Sequence, residues 1–373
     1  LPAASKASRP GAGADGGAAK ELSRARIAAS VAIAMSTLSL SSIAAACDVS
    51  ASTVSRALSG HAAVREATRR RIVAAARKLG YRRNDLVGKL MAHVRTGRTQ
   101  RFLGNLAAIH VPSQSQPRML PTHRKIIAGA IARARELGFQ LYEFSVGRDG
   151  LGPGGYARVL RARGVHGAIF LYTEPTPIMA DFPWEEFATI EIDYGQREPL
   201  LHTVCLDHYT TLLGALERLQ SLGYRRIGFF VTEFKDHRIA HKWSATFASF
   251  QRHWPDASDV PMLISDDIEE ASFLKWHRRY KPDVVIGHVD EAVTWLQRAG
   301  VRVPADTGFF NLNWTERKRP CAGLDLRMEL QGSVAAEALI AQIQRSERGL
   351  PADPRTIMIS GRWVDGPTLR RVG

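Results

Sequence analysis

Between Leu40 and Leu58 the apolar positions recur at helical spacing in two short bursts. Leu40, Ile43, Ala44 and Cys47 form the first, Asp48 and Val49 interrupt, and Val54, Ala57 and Leu58 resume the pattern. This predicts helix, tight turn, helix, with Ser50 as N-cap of the second and Ser52, Thr53, Ser55 and Arg56 on its remaining faces. A third helix is predicted after Val64, with Thr68 near its start. Its apolar side, Ile72, Ala75, Ala76 and Leu79, should close over Ile43 and Val54, leaving Arg69, Arg70, Arg71, Arg77 and Lys78 to solvent. From Asn84 to Val94, Leu86, Leu90 and Val94 fall at i, i+4 and i+8. Gly88 weakens that helix by about 1 kcal/mol relative to Ala.

From Phe102 onward short apolar runs alternate with amphipathic helices. LGNLAAIHV, QLYEFSV, GAIFLY, ATIEID, RIGFFV, MLIS and DVVIG read as strands. Thr122 to Leu137, YARVLRARG, Tyr209 to Leu222, a helix through Trp243 and Phe250, Phe273 to Tyr280, Glu291 to Ala299 and Met328 to Arg348 read as helices. TIMISGRWV reads as one closing strand. The alternation implies parallel sheets flanked by helices, and ligands of such folds bind at the carboxyl ends of the strands.

The formal net charge of the 373-residue chain is +15, and its location matters more than its size. Thr37 to Arg101 holds 13 Lys and Arg against 3 Asp and Glu, whereas the stretch from Phe102 to the end holds 33 against 31. A basic block confined to a small helical segment is the electrostatic footprint of phosphate binding. Residues Leu1 to Ala19 are an Ala/Gly/Ser/Pro tract that cannot bury a core. Arg24 and Arg26 then precede an uncharged run ending in Cys47, a pattern that imitates an export signal with a lipoprotein-type cysteine; cleavage there would cut the helix-turn-helix in half.

Other chemistry finds few carriers. Cys47, Cys205 and Cys321 lie far apart without zinc spacing, which points to a reduced, cytoplasmic chain. His237 and His241 stand at i and i+4, as if to clasp a metal on a helix, but lack a third ligand, so no metal and no cofactor is assigned. Gly150, Gly152 and Gly155 satisfy G-x-G-x-x-G, yet Pro153 interrupts them and no acid ends a strand about 20 residues on, so the segment reads as a glycine-rich loop. No nucleophile stands in a recognisable triad, and the chain reads as a non-enzyme.

The run VSASTVSRALSG, followed by TRRRIVAAARKLGY and then Asn84, closely resembles the DNA-binding domain of the lactose/galactose repressor (LacI/GalR) family. LGYRRIGFF at Leu222 to Phe230 and VPADTGFFNLNW at Val303 to Trp314 resemble motifs of that family's core. The resemblance implies an N-terminal all-α helix-turn-helix domain and an α/β two-lobed periplasmic-binding-protein-like core, with chain crossovers near Cys205 and near Trp314 to Asp325. It also implies a hinge helix at Asn84 to Val94 that wedges Leu90 into the minor groove, although Arg83 replaces the usual proline. The expected boundaries are 1–36 for a leader that need not be native, 37–83 for the DNA-binding domain, 84–101 for hinge and linker, and 102–373 for the effector-binding and dimerisation core.

By the same resemblance, Ser52, Thr53 and Arg56 read base edges, Ser41, Ser55, Thr68, Tyr81 and Asn84 hold phosphates, and Ser39, Leu40, Ser50, Ala51 and Leu90 complete the DNA set. His110, Tyr172, Asp193, Trp243, His288, Asn313 and Trp314 are the candidate effector contacts. Asn313 stands where the family carries a sugar-binding aspartate, and the arginine expected before Phe247 is missing. The implied partners are near-palindromic operator DNA, a small effector such as a sugar, and a second copy of the chain, with no membrane. An exported solute-binding protein with the same two-lobed core is the alternative.

Overall fold

The computed structural model describes residues 40–58, 64–79, 102–113, 118–147, 152–173, 179, 181–193, 198–254, 260–315 and 320–370. The chain divides into two compact units, the first ending at Asp85. In that unit α1 (Leu40–Ala46), α2 (Ala51–Leu58) and α3 (Glu66–Lys78) enclose a small core of Ile43, Cys47, Val54, Ala57, Val64, Ile72 and Ala76. The periodicity of the sequence accounts for it directly: each residue expected to face inward is buried or half-buried except Leu79, which is 38 % exposed. The expected leader and hinge lie outside the described residues, as do Ser39, Tyr81, Asn84 and Leu90.

The second unit holds two six-stranded sheets. Its elements are β1 (Gly104–Val111), α4 (Pro121–Glu136), β2 (Phe139–Ser145), α5 (Pro153–Ala162), β3 (Val165–Tyr172), β4 (Ala188–Ile192), β5 (His202–Leu206), α6 (His208–Ser221), β6 (Ile227–Thr232), α7 (Glu233–Arg238), α8 (Lys242–His253), β7 (Leu263–Ser265), α9 (Glu270–Tyr280), β8 (Val284–Gly287), α10 (Ala292–Arg298), β9 (Gly308–Asn311), β10 (Ala322–Asp325), α11 (Met328–Gln344), β11 (Thr356–Ile359) and β12 (Arg362–Val364). The strand orders are β2-β1-β3-β4-β5-β11 and β7-β6-β8-β9-β10-β12. All pairings are parallel except β10 with β12. The lobes therefore repeat one doubly wound topology.

The central strands are largely apolar on both sides because each face carries helices, whereas β2, β7, β11 and β12 at the sheet edges are partly exposed. In the first lobe Leu106, Ala108, Ile169 and Ile190 pack under α4 and α11, while Ala107, Ile109, Phe170 and Tyr172 pack on the opposite face, beside Tyr156 and Leu160 of α5. In the second, Phe229, Val231 and Phe310 meet α6 and α8, and Phe230, Val285 and Phe309 meet α9 and α10. Helix α11 lies so close to α4 that a Cβ on Gly332 would stand 1.8 Å from the Ile126 carbonyl oxygen, and one on Gly129 1.9 Å from that of Glu329.

Three sequence expectations need correction. TIMISGRWV is two strands: β11 runs parallel to β5 in the first lobe, and β12 antiparallel to β10 in the second. The break falls at Gly361, whose N–H donates to Thr211 Oγ1 at 2.9 Å and whose Cβ would stand 2.5 Å from Thr211 Cγ2, so the chain crosses between lobes a third time. The glycine-rich segment is also partly helical, because Gly152 is the N-cap of α5 and Gly155 lies in its first turn. Finally, His237 and His241 do not share a helix. α7 stops at Arg238, Ala240 and His241 take left-handed conformations (φ 54° and 57°), and His241 Nδ1 pairs with Asp236 Oδ2 at 3.1 Å.

Candidate DNA-binding head and ligand cleft

The turn between α1 and α2 is fixed by Asp48 in a left-handed conformation (φ 47°) and by the Val49 N–H donating to the Ala44 carbonyl at 3.1 Å. Ser50 Oγ accepts from the Thr53 N–H at 3.2 Å, as an N-cap should. With Val54 and Ala57 turned inward, Ala51, Ser52, Ser55 and Arg56 are exposed and Thr53 half-exposed. Arg56 Nη2 donates to Ser52 Oγ at 3.4 Å, and no acid occupies the first turn of α2. The result is a short hydroxyl-lined helix with one exposed arginine.

Ser41 is exposed on α1, Thr68 is half-buried on α3, and Leu40 packs against the head's core. Sequence reasoning left Arg71 to solvent, but its Nη2 donates to the Cys47 carbonyl at 3.0 Å, so it tethers the end of α1 to α3.

The cleft residues lie where the sheet topology leads. His110 near the end of β1, Ser145 at the end of β2, Tyr172 at the end of β3 and Asp193 just after β4 share the carboxyl edge of the first sheet. His288 and Asn313 follow β8 and β9 at the corresponding edge of the second. Asp193 accepts from Arg238 Nη1 of α7 at 2.8 Å, with side chains only 13 % and 18 % exposed, which joins the two lobes. Around this pair stand His123 from the first turn of α4, His208 from the first residue of α6, and Lys242 from α8. The His110 and His123 rings meet edge to face at 5.9 Å, and His110 Nδ1 bonds Ser145 Oγ at 3.0 Å.

Burial governs the ionisation of these groups. It lowers the His123 pKa to about 3, assisted by the Arg238 charge, and that of His208 to about 4. Burial alone would raise Asp193, but the Arg238 guanidinium and His208 outweigh it and hold the carboxyl below its usual range. Lys242 is lowered by burial. The Tyr172 hydroxyl, 1 % exposed, is pushed up by burial and by the Glu191 carboxylate.

The expected effector residues do not all converge. Trp243 is 2 % exposed within the core of the second lobe, with His208 edge-on at 4.9 Å, so its faces are packing surfaces. Asn313 donates its N–H to Asn311 Oδ1 at 2.8 Å. Trp314 lines a hollow of about 570 Å³ with Lys125, Asp325, Glu329, Arg362 and Trp363. Sequence reasoning missed His123, His208 and Arg238. Arg238, on the helix before the one that carries Phe247, brings a guanidinium to Asp193.

Residues 39–84 match the profile of bacterial regulatory proteins of the lacI family, and residues 216–369 match that of a periplasmic binding protein-like domain. The chain belongs to the lacI family. It is a transcriptional regulator of that family, with a periplasmic-binding-protein-like effector core. No curated protein matches the sequence.

Among solved structures, a transcriptional regulator CelR–cellobiose complex is 20 % identical with TM-score 0.53, covering 88 % of this chain and 99 % of its own. A lac repressor dimer bound to operator and an anti-inducer is 19 % identical with TM-score 0.52, covering 87 % and 97 %. A lacI-family regulator from Silicibacter pomeroyi is 21 % identical with TM-score 0.51, covering 90 % and 100 %. These likenesses establish the fold. No helix among the described residues is long and apolar enough to cross a membrane.

Proposed function

We propose that this lacI-family protein binds a near-palindromic operator as a homodimer and is switched by a small molecule held between its lobes. The observation that carries the reading is the exposed N-terminal face of α2 on a basic three-helix head. A helix presented this way enters the major groove, where short side chains permit close approach and an arginine forks onto guanine O6 and N7. In this assignment Arg56, Ser52 and Thr53 read bases; Ser41, Ser55 and Thr68 hold phosphates, with Tyr81, Asn84 and Leu90 beyond the described residues. Ser50 and Leu40 shape the head. The solved relatives include one bound to operator DNA and one bound to cellobiose, which supports DNA and a compact polar metabolite as the two ligand classes.

The same reading makes the chain a cytoplasmic regulator and not an enzyme, needing no cofactor. An exported solute-binding protein would share only the two-lobed part, and the lacI-family match over 39–84 is the reason to prefer a regulator. The test is selection of bound sequences from genomic fragments by the full chain, followed by Arg56→Ala. The variant should lose about 1–3 kcal/mol and relax preference at one base pair per half-site. Equal loss on every sequence would reduce Arg56 to a phosphate contact, and no sequence selection by the parent would overturn the assignment.

A further inference from the structure

We propose that β11 is a seam between two copies of this chain, which join edge to edge with their β11 strands antiparallel about a two-fold axis through Met358. The inference goes beyond the regulator reading, because it assigns a surface on which copies of the chain meet whatever the head binds.

Each sheet ends in two edge strands, and three of the four are blunted in ways that stop another strand from adding. β2 carries the exposed Glu143, and the Arg163 guanidinium lies over its Tyr142 and Phe144 rings at 5.6 and 5.2 Å. β7 is three half-buried residues long, and β12 opens on the exposed Arg362. β11 has no such device. From Thr356 to Ser360 the chain carries neither a charge nor a proline, yet Met358 is 58 % and Ile357 40 % exposed. Leu350, on the segment leading into β11, and Leu200, two residues before the neighbouring β5, are exposed as well.

The backbone shows which groups are open. The Thr203 N–H donates to the Arg355 carbonyl and the Asp207 N–H to that of Ile359, each at 2.9 Å, so Arg355, Ile357 and Ile359 turn their backbone to β5. Thr356, Met358 and Ser360 turn theirs outward, where no backbone bond reaches them among the described residues.

A second copy fits this edge in register. With Met358 on the two-fold, the two Met358 residues exchange backbone bonds with each other, and Thr356 exchanges them with Ser360 of the second copy. Side chains then meet as Met358 on Met358 and Ile357 on Ile359, which are apolar pairs on the two faces of the joined sheet. The two Arg355 residues fall roughly 20 Å apart at opposite ends of the seam, so like charges do not face each other. The edge is thus complementary to itself, as an isologous contact requires, and it offers no charge with which to select a different partner. Five residues bury less than the roughly 1,200–2,000 Å² of a stable complex, so the seam closes at high protein concentration and opens on dilution.

The test uses the full chain, with its mass read by sedimentation equilibrium from low to high micromolar concentration. At the upper end the parent should reach twice the mass of Met358→Lys. Met358→Lys and Met358→Glu, which each set like charges together on the axis, should both stop at the lower mass, and an equimolar mixture of the two should regain the parent's. Because Met358 is exposed, both variants should keep the parent's thermal unfolding midpoint. Equal masses for the parent and Met358→Lys at every concentration, or a mixture that stays at the lower mass, would overturn the proposal. Sequence-selective DNA binding is scored on the same samples. Its absence with the mass difference intact refutes the regulator reading alone, and selective binding without a mass difference refutes the seam alone.

Discussion

Lowering the pH from 7 to 5 should destabilise the two-lobed core through His123 and His208. Both rings titrate near 6.5 when unfolded, but burial holds them at about 3 and about 4 in the folded chain. Between those values the unfolded chain binds protons that the folded chain refuses. The stability associated with each neutral ring is thus complete above pH 6.5 and lost progressively as the pH falls. At pH 5, about one and a half units below the unfolded value, each ring costs roughly 2 kcal/mol.

His110, His202 and His277 are also lowered by burial and act in the same direction. Asp193 has a depressed pKa, so its contribution falls only below the usual carboxylate range and leaves this window untouched. Urea unfolding followed by tryptophan fluorescence measures the difference, with Trp243 placed 4.9 Å from His208 as a local reporter. His123→Gln should remove about 2 kcal/mol of the pH 7 to 5 difference, and His123→Gln with His208→Gln about twice that. A double variant with the parent's pH dependence would show that these rings are not the groups refusing protons.

Gly332→Ala should destabilise the core by about 1–3 kcal/mol, because its Cβ would meet the Ile126 backbone oxygen at 1.8 Å and the two helices must part. Gly214→Ala, on the exposed side of α6 with nothing within 4 Å of the new Cβ, should stabilise by about 0.5–1 kcal/mol; calorimetry of both variants checks the contrast. Ser50→Ala removes the hydroxyl that accepts from Thr53 and should cost the head about 1 kcal/mol, seen as a lower head transition with the core transition unmoved. Arg71→Met loses the bond to the Cys47 carbonyl and should weaken DNA binding equally on all sequences, measured by titration of matched and mismatched sites.

What the sequence made legible was whatever a single element decides alone. The head followed from helical spacing, and most core strands followed from apolar runs that parallel sheets bury on both faces. β5 escaped because it opens on His202 and Thr203, polar residues stabilised by neighbours on both sides: Thr203 donates to Glu191, and His202 Nδ1 accepts the Arg355 N–H at 3.0 Å. The break between β11 and β12 escaped because Thr211, 150 positions away, sets it. Asp193 and Arg238 are 45 positions apart on different lobes, and no local period records that they pair. His110 and Asp193 were legible as strand-end residues, whereas His123 and His208 begin helices and acquire their character only from the sheet edges packed beside them.

The three lobe crossovers explain where ligand chemistry can exert control. The first and third are tied together by the Asp207 N–H on the Ile359 carbonyl at 2.9 Å and the Gly361 N–H on Thr211 Oγ1. The second and third are tied by Asp325, which accepts from the Arg327 N–H at 2.8 Å and from Arg362 Nη2 at 2.9 Å. Trp363 is clamped there between Phe310, stacked at 4.4 Å, and the Arg218 guanidinium on its ring, also at 4.4 Å. A strap braced at each crossing resists sliding of one lobe over the other and leaves rotation about itself as the softer motion. Across the cleft the lobes meet through Asp193 and Arg238 at 2.8 Å, so a ligand bound there would have to differ in its affinity for two arrangements of the lobes. That difference in affinity is the only quantity that can bias the equilibrium between them.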